Sequence, residues 1–134
     1  MNTDTLKAKI SELSKLTYND MPEFSRIDGT LTDEKGAIEY FVEFKTRTHP
    51  FGRYPDAVID ANKWRALLDI NKMTTVSTLL VYGWSDGHWG YLLPIQTKDV
   101  IFTSLTPDEN SVSLNRGVER EVVKISLSEF NIRG

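Results

Sequence analysis

Hydrophobic residues along this chain change their period several times, and each change marks an element. Leu6, Ile10, Leu13 and Leu16 recur at helical spacing and predict a helix over residues 4–16, with Thr3 or Thr5 placed to cap it. Asn19-Asp20 and Pro22 break that helix, so Tyr18 to Glu23 reads as a change of direction. Phe24 to Thr32 then reads as a strand, Asp33-Glu34-Lys35-Gly36 as a turn, and Ala37 to Thr46 as the returning strand of an antiparallel hairpin. The returning strand has the clearest pattern in the chain. Ile38, Tyr40, Val42 and Phe44 fall on one face, and Glu39, Phe41, Glu43 and Lys45 on the other.

From Thr46 to Pro55 the pattern lapses, because Pro50 and Gly52 interrupt it and no regular element fits. A second helix follows over Asp60 to Lys72. Asp60 suits its N-cap, and Ala61, Trp64, Leu67, Leu68 and Asn71 share one face, with Ile70 lying off it. Thr74 to Trp84 is the most hydrophobic run and predicts a central buried strand. Ser85-Asp86-Gly87-His88 turns it back into Trp89 to Ile95, a second hairpin. Asp99 to Leu105 and Glu121 to Leu127 are further strands, separated by a polar loop at Thr106 to Ser111 and followed by a short C-terminal tail. Core packing is the expected role of Trp84, Trp89 and Tyr91, with a dimer surface as the alternative.

At 134 residues the chain is long enough to bury one substantial core. One domain over 1–134 is expected, with a core at about 4–95 and a β extension over 96–134. No cysteine is present, which excludes disulfides and thiolate chemistry, and two histidines are too few for an ordinary zinc site. No apolar run approaches a membrane span, and Met1-Asn2-Thr3-Asp4 lacks the form of a secretion signal, so a cytoplasmic protein with no membrane partner is expected. The net charge of -3 speaks against a coat for nucleic acid, yet residues 45–73 are basic and the stretch before them is acidic.

The chemistry gathers on the first hairpin. Glu43 and Lys45 stand side by side within a hydrophobic strand, where charge costs desolvation energy. A metal-and-phosphate site would offset that cost; an ordinary solvated ion pair is the simpler alternative. With a two-residue Lys35-Gly36 loop, Asp28 lies directly across from Glu43, which is unfavourable unless a cation sits between them. A bulge at Gly36 would shift that register by one. The loop after Lys45 brings Arg47, His49 and Arg53 with Tyr54, a set able to close over a phosphate backbone. Lys63 sits in the first turn of the second helix, where a cation opposes the helix dipole, so helix stability does not explain it. Arg65, two residues on, joins the candidate nucleic-acid contacts. Glu12 lies on the flank of the first helix's apolar stripe.

The order helix, hairpin, basic loop, helix, buried strand, with Asp28 on one hairpin strand and Glu43-x-Lys45 on the other, resembles the PD-(D/E)xK or restriction-endonuclease-like nucleases. The nearest members are the small phage endonucleases and Holliday junction resolvases, and the likeness covers about residues 4–95. It implies an α/β (α+β) fold: a helix–β-hairpin–helix–strand core with a central mixed sheet flanked by helices, plus extra C-terminal strands. It implies catalytic Asp28, Glu43 and Lys45, with Asp33 in place of Asp28 if the register differs. Asp28, Glu43 and the carbonyl of Phe44 would hold Mg (or Mn). Glu12 and Lys63 would be accessory. The implied substrate is duplex or branched DNA, cut by a homodimer; no base-reading element is recognisable, so structure-selective or nonspecific cleavage is expected. Two other classes compete: a non-catalytic nucleic-acid- or protein-binding module on the same fold, and an interaction protein whose strand ion pair is structural.

Overall fold

The computed structural model describes residues 1–23, 25–105 and 120–134. Thr106 to Ser111, read above as a polar loop, lie outside the described residues, as does Phe24. Helix α1 (Thr3–Ser14) opens the chain, and its N-cap is Asn2, whose Oδ1 accepts the Thr5 amide at 2.8 Å. The helix stops when Lys15 turns left-handed at φ 60°, so Leu16 falls outside it.

Strands β1 (Thr17–Asp20), β2 (Gly29–Thr32), β3 (Ile38–Thr46), β5 (Ser77–Gly83), β6 (Trp89–Leu92) and β9 (Asn131–Arg133) form one mixed sheet in the order β1-β2-β3-β5-β6-β9. Only β3 and β5 run parallel, joined by a crossover through β4 (Asp56–Asp60) and helix α2 (Ala61–Met73). A second, antiparallel sheet is ordered β4-β8-β7, with β7 at Val100–Leu105 and β8 at Arg120–Ser126.

Alternation along β3 and β5 divides the core. Leu6 and Ile10 of α1 pack on Val42, Phe44, Leu79 and Val81 on one face of the large sheet. Trp64 and Leu67 of α2, with Ala57, Ile59, Val123 and Ile125 of the small sheet, pack on Leu80, Tyr82 and Trp84 on the other. Trp84 and Trp89 are buried, as core packing requires. Residues beyond 95 thus supply both a sheet edge and part of the interior.

Several expectations change. Thr17–Asp20 is a strand, not a break: Tyr18 faces the α1 core while its neighbours stay wet, a pattern too short to show periodicity. The strand expected from Phe24 begins only at Gly29, because Ser25 donates to the Pro22 carbonyl in a turn. Asp56–Asp60 and the C-terminal Asn131–Arg133 are strands that the sequence does not announce. Pro94 starts a 3₁₀ turn that ends β6 early. Ile70, read as off the helix face, packs against the core.

The hairpin register is reached by two offsetting irregularities. Asp33 and Ala37 close a three-residue loop through an Asp33 N–H to Ala37 carbonyl bond, with Gly36 at φ 83°. That shifts the pairing by one, and a bulge at Glu39 shifts it back, since Thr32 pairs with Ile38 but Leu31 with Tyr40. Gly29 therefore lies opposite Val42, and Asp28 is level with Glu43 just beyond the ladder.

Gly29 is needed for closeness. A Cβ there would sit 2.3 Å from the Tyr18 hydroxyl and 2.4 Å from the Asn19 carbonyl oxygen, and the latter is backbone that cannot swing away. Gly29→Ala should cost about 1–3 kcal/mol, the range for overpacking, read as a lower midpoint in urea. An unchanged midpoint would contradict the packing.

Candidate nuclease site

β3 delivers Glu43 and Lys45 to the α2 face of the sheet, beside Leu80 and Tyr82 of β5. Glu43 is only 5% exposed. Its Oε2 lies 3.6 Å from the Lys63 ammonium, while Oε1 is buried with no hydrogen-bond partner among the described residues. Lys63 also donates to the Arg26 carbonyl at 2.5 Å. The charge in the first turn of α2 is thus explained by the carboxylate it meets on the sheet beneath it, not by its helix.

Asp28 is exposed at the end of β2, and its Oδ2 accepts the Phe44 N–H at 2.8 Å. Its carbonyl accepts from the Met21 N–H and the Tyr18 hydroxyl, which pins the backbone on the side away from Glu43. Asp33 is committed elsewhere: its Oδ1 accepts the Lys35 and Ala37 amides, each at 2.9 Å, inside the turn. Asp28, Glu43, Lys45 and Lys63 therefore converge, and the register that allows it is the one above.

Burial pushes the Glu43 carboxyl up to about 7, with the charge of Asp28 adding to the shift and Lys63 and Lys45 opposing it. The Tyr18 phenol is also raised, by burial first and then by Asp20, Asp28 and Glu43. A buried carboxylate oxygen without a donor, beside a second carboxylate, is the donor set that a hard divalent cation satisfies. Among the described residues no group of three or more His, Cys, Asp or Glu gathers anywhere, so the protein would offer two carboxylates and leave other positions to backbone or water. The N–H and C=O of one strand residue point to the same edge, so the Phe44 carbonyl opens toward Asp28's side. Lys45 and Lys63 also line a cleft of about 290 Å³ with Arg26, Asp60, Asn62 and Ala66, a cleft whose walls do not include Asp28 or Glu43. Arg26 and Asn62 are unheralded in the sequence, although Arg26 stands two residues before Asp28.

The remaining candidates part company. Glu12 is exposed on α1, across the sheet from Glu43, and lines a separate cleft with Trp89 and Arg133. The structure does not bring it to Asp28 and Glu43. Arg47 continues the Glu43, Lys45 parity and turns under the sheet, donating to the Tyr82 hydroxyl and the Val58 carbonyl. Arg65 pairs with Glu121 at 2.6 Å and lies 5.1 Å over the Phe102 ring. His49 packs edge-on to Tyr54 at 4.8 Å, and Arg53 lies 5.9 Å over the same ring.

This architecture, a central mixed sheet with a helix on each face and extra strands, is a restriction-endonuclease-like fold. The family described as "Phage putative PDDEXK endonuclease" matches residues 2–131, and the chain belongs to that family. Its fold matches a Holliday junction resolvase, Hjc from the archaeal hyperthermophile Archaeoglobus fulgidus, with a TM-score of 0.55 at 12% identity, over 96% of this chain and 91% of that one. No curated protein sequence matches it. The family match runs well past residue 95, where the sequence offered no counterpart.

The raised Glu43 carboxyl sets a sign for stability. Between the ordinary 4.5 and about 7, the folded protein keeps a proton that the unfolded chain has released. Stability from this group therefore falls as pH rises through that window, by about 3 kcal/mol. Glu43→Gln should remove that part of the slope, so in EDTA the variant gains on wild type as pH rises from 4.5 to 7.5. Parallel denaturation profiles would show that Glu43 titrates normally.

Proposed function

We propose that this protein is a magnesium-dependent (or manganese-dependent) endodeoxyribonuclease that hydrolyses phosphodiesters of duplex or branched DNA through Asp28, Glu43 and Lys45. The observation that carries this reading is the buried Glu43 Oε1, without a hydrogen-bond partner among the described residues, level with Asp28 and one residue removed from Lys45. Family membership supports it, and the resolvase-like fold supports a branched substrate.

Asp28, Glu43 and the Phe44 carbonyl are the groups that would hold the ion. When bound, it supplies positive charge to the phosphoryl oxygens and acidifies a water. Asp28 is kept in place by the Phe44 N–H, and Glu43 by Lys63, so neither carboxylate must be ordered when substrate arrives. The Lys45 ammonium, half-exposed at the cleft, is placed to stabilise negative charge as it grows on the phosphate, or to orient the attacking water. Arg26 and Lys63 at the cleft rim favour an anionic backbone without reading bases. No helix among the described residues is long and apolar enough to cross a membrane.

Asp28→Asn, Glu43→Gln and Lys45→Ala should each lower cleavage about 100-fold or more, the scale for losing one electrostatic contribution to the transition state. The assay uses plasmid, linear duplex and four-way-junction DNA with Mg, Mn or EDTA, and circular dichroism confirms folding. Full activity in any one folded variant would remove that residue from the mechanism, and cutting in EDTA would remove the metal.

The acting unit we propose is a homodimer, since cutting both strands at a branch needs two sites. On the edge strand β7, Ile101 is 62% exposed and Leu105, four residues on along the same face, 36% exposed, an apolar strip suited to self-association. Sedimentation at micromolar concentration should give a dimer that Ile101→Lys converts to monomer. A wild-type monomer with full activity would overturn it.

A further inference from the structure

A second cleft adjoins the first. It lies between the 47–55 loop, β4 and β8, encloses about 530 Å³, and is walled by Arg47, His49, Tyr54, Asp56, Arg120 and Lys124. Arg120 joins the two clefts, its Nε lying 4.0 Å from Asp60 Oδ2, and Asp60 lines the cleft of Lys45 and Lys63. Along β3 and one residue past its end, Glu43, Lys45 and Arg47 follow one another with the same parity at steps of about 7 Å. A DNA strand whose phosphate sits at Glu43 and Lys45 therefore reaches the second cleft within a short length.

The lining is particular. Arg47, Arg120 and Lys124 face a single carboxylate, Asp56, so the cleft favours an anion. Arg47 is fixed in the floor by the Tyr82 hydroxyl and the Val58 carbonyl, and it lies 5.3 Å over the Tyr82 ring. Tyr54 stands at the rim, 52% exposed and propped edge-on by His49. An aromatic platform beside cations, in a space of the size that holds small ligands, fits a planar ring carrying a phosphate. A base still paired in a duplex cannot enter such a cleft; only an unpaired one can.

We propose that this cleft receives an unpaired nucleotide of the DNA strand being cut, with Tyr54 stacking on its base and Arg120 and Lys124 meeting its phosphate. The inference rests on the nuclease reading above and narrows it: the substrate class is DNA with unpaired nucleotides near the scissile phosphate, as at flaps, tails and the centres of branches. Asp56, the one carboxylate in the wall, would take a hydrogen bond from an exocyclic amino group.

The test measures affinity in EDTA, by fluorescence anisotropy, for a single strand, a tailed duplex and an unbroken duplex of the same sequence. Wild type should prefer the substrates with unpaired bases. Tyr54→Ala should lower that preference about 5- to 100-fold, the equivalent of one lost stacking contact, and Tyr54→Trp should restore it. Lys124→Ala should reduce the salt dependence of binding by about one phosphate contact. Equal preference in wild type and Tyr54→Ala, both folded, would overturn the proposal, as would a loss of the same size on all three DNAs. A 2-aminopurine probe then distinguishes the source. Brightening within the unbroken duplex identifies a base drawn out of the stack, brightening only in the tail one already unpaired, and either supports the cleft. Because binding is read without metal, a protein that cuts DNA but shows no Tyr54-dependent preference loses the cleft and keeps the nuclease. One that shows the preference but never cuts loses the nuclease alone.

Discussion

The organisation of the molecule turns on one buried carboxylate. Glu43 sits in the middle of β3 beside Leu80, nearly out of water, with one oxygen near an ammonium and the other without a donor among the described residues. Such a group is expensive in a folded interior. It is tolerated because α2 brings Lys63 against it and the rest of the strand is well packed: Val42 and Phe44 face α1, while Phe41 joins the core on the other side. The same desolvation that raises its proton affinity would strengthen its hold on a cation, so what weakens the fold is what equips the site.

Much of this was legible in the sequence, for a physical reason. β3, α2 and β5 are long and each buries a continuous apolar face, so their periods survive local noise. The strands that escaped notice are short edges or are trimmed by prolines. β1 buries little beyond Tyr18, β4 alternates over only five residues directly after Pro55, and β9 has three residues. Their pairing is supplied by the sheet they join, which no local pattern encodes. Asp28 opposite Glu43 was readable only on a simple two-residue turn. The protein reaches the same register with a three-residue loop and a bulge, two departures that cancel.

Among the candidate residues, parity was more informative than proximity. Arg47 lies in the irregular stretch after β3, yet it shares the parity of Glu43 and Lys45, and counting by two sends it to Tyr82. Glu12 shows the opposite limit. Helical spacing tells which flank of α1 it occupies but not which face of the sheet α1 covers, and that face is the one away from Glu43. Arg65 finds its partner, Glu121, on a strand far along the chain.

The pairing of β4 with β8 reaches across the chain: Asp60 lies opposite Val122, 62 residues further on. Trp64 and Leu67 of α2 share their cluster with Val123 and Ile125 of β8, so the seating of α2 waits for that late strand. Contacts so distant in sequence close last and slowly during folding. While the polypeptide is still emerging from the ribosome, Glu43 and Lys63 have already been made, but the strand on which α2 packs has not. The nascent chain thus carries Asp28, Glu43, Lys45 and Lys63 before β8 exists, and the burial of Trp64 and Leu67 against Val123 and Ile125 can only follow the synthesis of that strand.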